Sequence, residues 1–394
     1  MDAVVSADVD APANGGTDAA VPGRARVALL TNFLPPYRRP VLESLNARVG
    51  ALRIFVCTPM ERNRDWRPDW GELDVVVQRT MTIARTWRAR RFNERIDLHV
   101  PLDTISLLRA FRPDVILSGE MGTRSAQAML YGRATGTPVH IWATLVDHLE
   151  VDRGRARRML RRWLLRRASG VIVNGAGGAR YVRGFAVDEH RIARIPQTTA
   201  IGRFAAVPVE RPAADARRIL VVGRLSAGKG LDLLLHGLAI VAARRADRLD
   251  LTVVGDGPER AQLRAIPLPA SVHVTWIGHV EYDALPALYA ASGILAFPTL
   301  GDEWGLVVNE SLASGVPVLG SRYSQAVNEL VVDGENGWTF LPDSAELVAR
   351  AVERALDTPA EQLARMRVHA RNSVAALTPD AVAGRFAEAL HVAV

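Results

Sequence analysis

A single lysine stands among the 49 basic residues of this 394-residue chain, and it falls where an anion could be held. Lys229 belongs to Val222-Gly223-Arg224-Leu225-Ser226-Ala227-Gly228-Lys229-Gly230, between an apolar strand pattern and an apolar helix pattern that opens at Leu231. A strand, a glycine-bearing loop and a helix start aim free backbone N–H groups and the positive end of a helix dipole at one point. Arg224 and Lys229 add full charges there. The string is one residue short of the Gly-x-x-x-x-Gly-Lys-Ser/Thr phosphate loop, because Gly230 stands where a magnesium-binding hydroxyl belongs. Phosphate binding without nucleotide hydrolysis is the chemistry this permits. A solvated turn with two basic residues is the plain alternative.

A second group of capable residues lies in Pro298-Thr299-Leu300-Gly301-Asp302-Glu303-Trp304-Gly305-Leu306-Val307-Val308-Asn309-Glu310. The pattern predicts the end of a buried strand before Pro298, an acidic loop, and a helix from near Gly305 that stops at Gly315. Asp302 then precedes a helix start, and Glu310 lies about two turns along. Carboxylates so placed can hold hydroxyls at two ends of one ligand, while the helix-opening amides of Leu306 and Val307 meet a phosphate between them. The plain alternative makes Asp302 a helix cap and Glu310 a surface charge.

Other reactive or charged groups read as structural. The lone cysteine, Cys57, excludes a disulfide framework and a cysteine-based zinc site, and it falls in an apolar strand run. His140 lies inside a strand pattern and reads as core. Gly175-Ala176-Gly177-Gly178-Ala179 follows a strand, but Arg180 occupies the third glycine position of a dinucleotide fingerprint, so an ordinary strand-to-helix turn is expected. The run Arg153 to Arg167 sets eight arginines around Met159, Leu160, Trp163 and Leu164. Such a helix can meet anionic lipid as a peripheral membrane contact, or bury its apolar stripe and solvate its arginines. A net charge of +7 suits anionic ligands, yet no recognition motif accompanies it, and no nucleic-acid partner is expected.

Positioning these loops falls to short Val-, Ile- and Leu-rich runs that alternate with helical patterns. Strands are expected at Arg26–Asn32, Leu52–Thr58, Asp114–Ser118, Val139–Thr144 and Gly170–Asn174. They resume at Arg218–Gly223, Asp250–Gly255, Val272–Gly278, Gly293–Phe297, Val316–Gly320 and Trp338–Leu341. Apolar strands separated by helices imply parallel sheets covered on both faces, an α/β fold of two doubly wound domains facing a cleft. Ligands then sit at the carboxyl ends of the strands. Residues 1–23 lack a basic segment and an apolar run and read as a disordered tail. The expected boundaries are 24–206 for an amino-terminal domain, 207–216 for a Pro- and Ala-rich linker, and 217–376 for a carboxyl-terminal domain. Residues 377–394 should form a helix packing back on the amino-terminal domain. No apolar run reaches about 18 residues, so no membrane span is expected and a cytoplasmic location is.

The strings V-G-R-L-S-x-G-K-G, V-V-G-D-G-P-E-R (Val253–Arg260), W-I-G-H-V (Trp276–Val280) and D-E-W-G-L-V-V-N-E-x-L-A-S-G-V-P-V resemble retaining glycosyltransferases of the GT-B fold. These are the glycogen-synthase-like group, of glycosyltransferase family 4 type, which use nucleotide sugars. Gly334-Glu335-Asn336-Gly337-Trp338 is similar to a late turn of the same family. The resemblance implies that Arg224 and Lys229 hold the donor diphosphate, Glu310 takes the ribose hydroxyls and Asp302 contacts the transferred sugar. It also places a histidine near the donor sugar, at His148, and implies retention by front-face attack, without a protein nucleophile, a cofactor or a metal.

This chain has Asp at 302 where the family most often has Glu, and Glu303 follows it. Its first loop, Thr31-Asn32-Phe33-Leu34-Pro35-Pro36-Tyr37-Arg38, lacks the glycine pair of many members. It is similar instead to the N-x-x-P-P-Y-R loop of a polysaccharide-building subset, which makes Asn32, Pro36 and Tyr37 candidates for contacting acceptor or donor. The implied activity is hexose transfer from a UDP- or GDP-linked sugar to a saccharide or lipid-linked acceptor, at the inner face of a membrane if the basic helix docks there. The residues by themselves leave open an isomerase or phosphorylase on the same architecture, or a non-enzymatic polyanion-binding protein.

Overall fold

The apolar runs become strands because burial on both faces suits branched side chains standing on a pleat. This computed structural model describes residues 4–5, 25–61, 68–88, 93–150, 154–213 and 215–392. The chain divides into two units, one of Met1–Trp87, Arg95–Thr198 and Pro379–Val394, the other of Arg88–Glu94 and Thr199–Thr378.

Strands of the amino-terminal unit are β1 (Val4–Val5), β2 (Arg26–Thr31), β3 (Ala51–Val56), β4 (Asp74–Val77), β5 (Thr80–Arg88), β6 (Asn93–Pro101), β7 (Val115–Gly119), β8 (Val139–Ala143), β9 (Gly170–Val173) and β10 (Ile192–Arg194). Seven of them form one parallel sheet in the order β10-β9-β8-β7-β2-β3-β4. From β2 the chain moves outward through β3 and β4, then returns to β7 and continues the other way, so the direction switches between β2 and β7. Alternate residues face two cores: Leu29, Ile54 and Leu117 on one side, Leu30, Phe55 and Ile116 on the other. The helix Pro379–Ala389 covers the first of these cores. Its Phe386 meets Trp142 edge-on at 5.0 Å between ring centres, and burying that ring contributes about 1.5–3 kcal/mol.

Two expectations need correction here. The sheets are not all parallel, since β1, β5 and β6 form a three-stranded sheet in which Val4 and Val5 pair antiparallel with Thr82 and Met81. Arg, Thr, Glu and His interrupt the apolar pattern in β5 and β6, which hid them among loop residues. The tail expected to be disordered, 1–23, otherwise lies outside the described residues. The second correction concerns the segment 207–216. Arg371 donates to the Val207 carbonyl and Arg211 donates to the carbonyls of Ser292 (3.0 Å) and Ser314 (2.8 Å). The segment is thus tied to the carboxyl-terminal unit. That unit begins earlier, because the helix Ile201–Ala205 buries Ile201 and Phe204 in its core.

Strands of the carboxyl-terminal unit are β11 (Ile219–Val222), β12 (Leu249–Val254), β13 (Val272–Gly278), β14 (Ile294–Phe297), β15 (Val318–Ser321) and β16 (Gly337–Phe340). They run parallel in the order β13-β12-β11-β14-β15-β16. Here the direction switches between β11 and β14, which sets the loops after these two strands side by side. No helix among the described residues is long and apolar enough to cross a membrane.

Candidate functional site

Open α/β sheets bind ligands beyond the carboxyl ends of the strands at the switch point. In the carboxyl-terminal unit that place is formed by the loop after β11, with Arg224 and Lys229, and the loop after β14, with Asp302. The fold joins them directly, for the Lys229 ammonium donates to Asp302 Oδ2. Lys229 also lies 5.7 Å from the ring centre of Phe297. Backbone holds the two loops together: the Leu300 N–H (2.9 Å) and the Thr299 hydroxyl (3.1 Å) both donate to the Gly228 carbonyl. Gly230 makes this approach possible. Its φ is +65°, and a Cβ there would strike the Pro298 carbonyl oxygen. The missing hydroxyl at this position therefore has a packing reason.

Asp302 is not the cap of the following helix. That helix, Leu306–Ala313, starts after Gly305 with φ +102° and has no side-chain cap, so the first-turn amides of Leu306 and Val307 face no capping side chain. A Cβ at Gly305 would press on the Phe297 ring. Asp302 Oδ1 instead accepts from the Trp304 N–H at 3.3 Å. Trp304 is buried, its indole N–H donates to Asn309 at 2.8 Å, and its carbonyl accepts from the Ser324 hydroxyl at 2.5 Å. These bonds pin the acidic loop, leaving Glu303 exposed and Asp302 turned onto Lys229.

Glu310 is buried, at 4% exposure, and the surface-charge alternative fails. The Tyr289 hydroxyl donates to its Oε2 at 3.0 Å, and the Tyr282 hydroxyl bonds it as well. Burial pushes this carboxyl up to about 7, with the two phenols drawing it partly back. Thr199 is 2.7 Å from the Tyr282 hydroxyl, and Phe204 packs edge-on against both tyrosine rings at 5.7 and 5.6 Å. A carboxylate held this firmly can accept hydrogen bonds from ligand hydroxyls without reorganising. Thr199, Tyr282, Tyr289, Trp304 and Asn309 were not legible as site residues; aromatic residues at helical spacing look like core.

The remaining candidates lie in the amino-terminal unit. Asn32 directly follows β2, and Pro36 and Tyr37 open the half-buried turn of helix Pro36–Arg38. His148 belongs to the short helix Asp147–Glu150, and its side chain lies outside the described residues. His140 is buried, and Cys57 is buried with its sulfur 3.1 Å from an Arg124 nitrogen. Gly175 precedes an ordinary helix, Ala176–Arg183. The basic helix spans Arg155–Arg167, Arg153 lying outside the described residues. Leu164 and Leu165 are buried, Leu160 and Trp163 pack on the core, and Arg161 turns inward onto Glu150. Met159 and the other arginines of that helix face solvent.

Residues 205–373 match the family described as glycosyl transferases group 1, and residues 35–198 match that described as glycosyl transferase 4-like domain. Over 356 residues the chain is 27% identical to the GDP-mannose-dependent alpha-(1-6)-phosphatidylinositol monomannoside mannosyltransferase of Mycobacterium tuberculosis, covering 84% of this chain and 89% of that protein. It is 30% identical over 153 residues to the alpha-D-kanosaminyltransferase of Streptomyces kanamyceticus, a match spanning 38% of this chain and only 39% of that relative. Among solved structures, sucrose-phosphate synthase from Thermosynechococcus elongatus aligns with a TM-score of 0.67 at 19% identity, covering 93% of this chain and 98% of that one. Both halves of the chain therefore carry the same assignment, and the protein belongs to the GT-B glycosyltransferases of the family 4 type, transferases that act with nucleotide sugars.

Proposed function

We propose that the protein is a retaining hexosyltransferase that moves a hexose from a UDP- or GDP-linked sugar to a saccharide or lipid-linked saccharide, in polysaccharide or glycoconjugate assembly. The observation that carries this reading is the junction of Lys229 with Asp302 at a strand switch point, one helix start away from the buried Glu310. In this reading Arg224, Lys229 and the amides of Leu306 and Val307 hold the donor diphosphate. Glu310 takes the ribose hydroxyls, Asp302 meets the transferred sugar, and His148 with the Asn32, Pro36 and Tyr37 loop completes the donor and acceptor contacts.

Fixed cations and helix amides oppose the charge that develops on the departing diphosphate, and the reading requires neither a metal nor a protein nucleophile. The Lys229 ammonium is paired with Asp302. An arriving diphosphate competes for that ammonium and releases the carboxylate toward sugar hydroxyls. The mycobacterial relative's name includes GDP-mannose and a phosphatidylinositol mannoside, which supports a GDP-linked donor and a lipid-linked acceptor. The outward arginines of Arg155–Arg167 agree with peripheral docking at the cytoplasmic face, each adding about 1 kcal/mol at an anionic surface.

Nucleoside diphosphate release from UDP-, GDP- and ADP-hexoses, followed with and without saccharide acceptors, tests the reading. Acceptor-dependent release with one UDP- or GDP-sugar is expected, together with a raised melting temperature in that donor. Product NMR showing inversion at the anomeric carbon would sink the retaining mechanism.

A further inference from the structure

The amino-terminal sheet has its own switch point, between β2 and β7, and the residues just beyond those strands are Asn32 and Glu120. The two are bonded: Asn32 Nδ2 donates to Glu120 Oε1 at 2.7 Å. Behind them lies Arg124, whose side chain is 5% exposed. It donates to Asn32 Oδ1 (2.8 Å) and to the Gly119 carbonyl (2.8 Å), and it also meets the Cys57 sulfur at 3.1 Å. Because Arg124 is a donor, Asn32 must turn its oxygen inward and its NH2 outward to Glu120. The Glu120 backbone is held as firmly, its N–H on the Trp142 carbonyl (2.9 Å) and its carbonyl on the Ser125 hydroxyl (2.7 Å).

Stability does not explain this arrangement. Glu120 sits at φ +66°, a left-handed conformation disfavoured for a glutamate. Its side chain is 57% exposed and its Oε2 lies 4.0 Å from Arg124, a distance that gains little so close to water. The buried Arg124 Nε has no hydrogen-bond partner among the described residues, and apolar packing would fill that space at lower cost. What the network achieves is orientation of an exposed carboxylate at the place where an α/β sheet receives its ligand.

We propose that Glu120, aimed by Asn32 and Arg124, binds a pair of neighbouring hydroxyls on a ring polyol acceptor. The outward group is an acceptor of hydrogen bonds, so the ligand must bring donors. The nearby guanidinium offsets the carboxylate charge, which favours neutral hydroxyls over an ammonium. Asn32 and Arg124 are positioning residues. The inference rests on the reading of the chain as a transferase that holds its acceptor on this unit.

Ligand-observed saturation-transfer NMR on the full chain tests it, with myo-inositol and methyl α-D-mannopyranoside as probes. The same samples are melted with and without GDP-mannose and UDP-glucose. At least one polyol is expected to bind the wild type. Glu120→Gln should weaken it about tenfold without changing the donor-induced melting shift, and Asn32→Ala should weaken it by releasing the carboxylate. A structural role would lower the melting temperature and leave polyol affinity alone, which overturns the proposal. So does a donor shift in a wild type that binds neither polyol, and that result leaves the transferase reading standing. Absence of any donor shift removes the reading and this inference with it.

Discussion

The two switch points are built from different materials. In the carboxyl-terminal unit, main chain does most of the work: Gly230 and Gly305 let loops press against Pro298 and Phe297, and helix amides are left without side-chain caps beside Lys229. In the amino-terminal unit, side chains do it: Asn32 and Cys57, drawn from separate stretches, and Glu120 close around the buried Arg124 guanidinium. The first arrangement suits a ligand whose charge is the same in every donor, a diphosphate. The second can be changed one side chain at a time, which suits a partner that varies among transferases.

The largest effect should come from the cation at the backbone-built site. Lys229→Ala is expected to lower kcat/KM about 10²–10³-fold, the usual loss when one fixed donor to a developing charge is removed. Lys229→Arg should recover part of it, since a planar guanidinium restores charge without the compact geometry. Steady-state nucleoside diphosphate release checks both, and Lys229→Ala within threefold of wild type would break the account of this loop. Gly230→Ala comes next. It is expected to cost about 1–3 kcal/mol of stability in urea unfolding, from strained backbone and a displaced Pro298 carbonyl. An unchanged midpoint would mean that the loops need not touch.

Glu310→Gln sharpens the comparison further. It keeps the shape and loses the charge, so donor affinity should fall about tenfold while acceptor affinity stays put. In the wild type, donor affinity should rise as pH passes about 7 and the carboxyl ionises. Calorimetric titration of the donor between pH 6 and pH 8 reads this, and a flat profile in wild type would remove Glu310 from the donor site.

Legibility followed the same division. Lys229, Asp302 and Glu310 stood out as candidates because strand, loop and helix follow one another without interruption, and each lies in a short string. Which of Asp302 and Glu303 faces Lys229 needed coordinates, because adjacent side chains point apart and only packing decides between them. Tyr282 and Tyr289 were hidden by looking like core, which they also are. Glu120 and Arg124 were hidden because their meaning depends on the distant Asn32 and on a left-handed φ that a glutamate does not advertise. Among strands, the buried central ones were plain, whereas β4 and β10 are only half-buried and short and β5 and β6 are mixed with polar residues.

The smallest effect separates the units by the sign of their response to acid. Burial, and secondarily His391, whose ring centre lies 6.2 Å away, bring the His140 imidazole down from 6.5 to about 4. The unfolded chain takes up a proton that the folded chain refuses, so the stability from neutral His140 is present above 6.5 and is lost as pH falls toward 4. Glu310 behaves oppositely. Burial raises it from 4.5 to about 7, so the folded chain keeps a proton the unfolded chain releases, and its contribution is present below 4.5 and lost as pH rises through 7. Between pH 5 and pH 7 the two slopes oppose each other. His140→Leu should reduce the gain in unfolding free energy from pH 5 to pH 7 by about 1 kcal/mol, and Glu310→Gln should enlarge it by a similar amount. Urea midpoints at the two pH values measure both. Changes of the same sign would mean that one of these groups is not buried as a neutral species, and the contrast between the units would then rest on geometry alone.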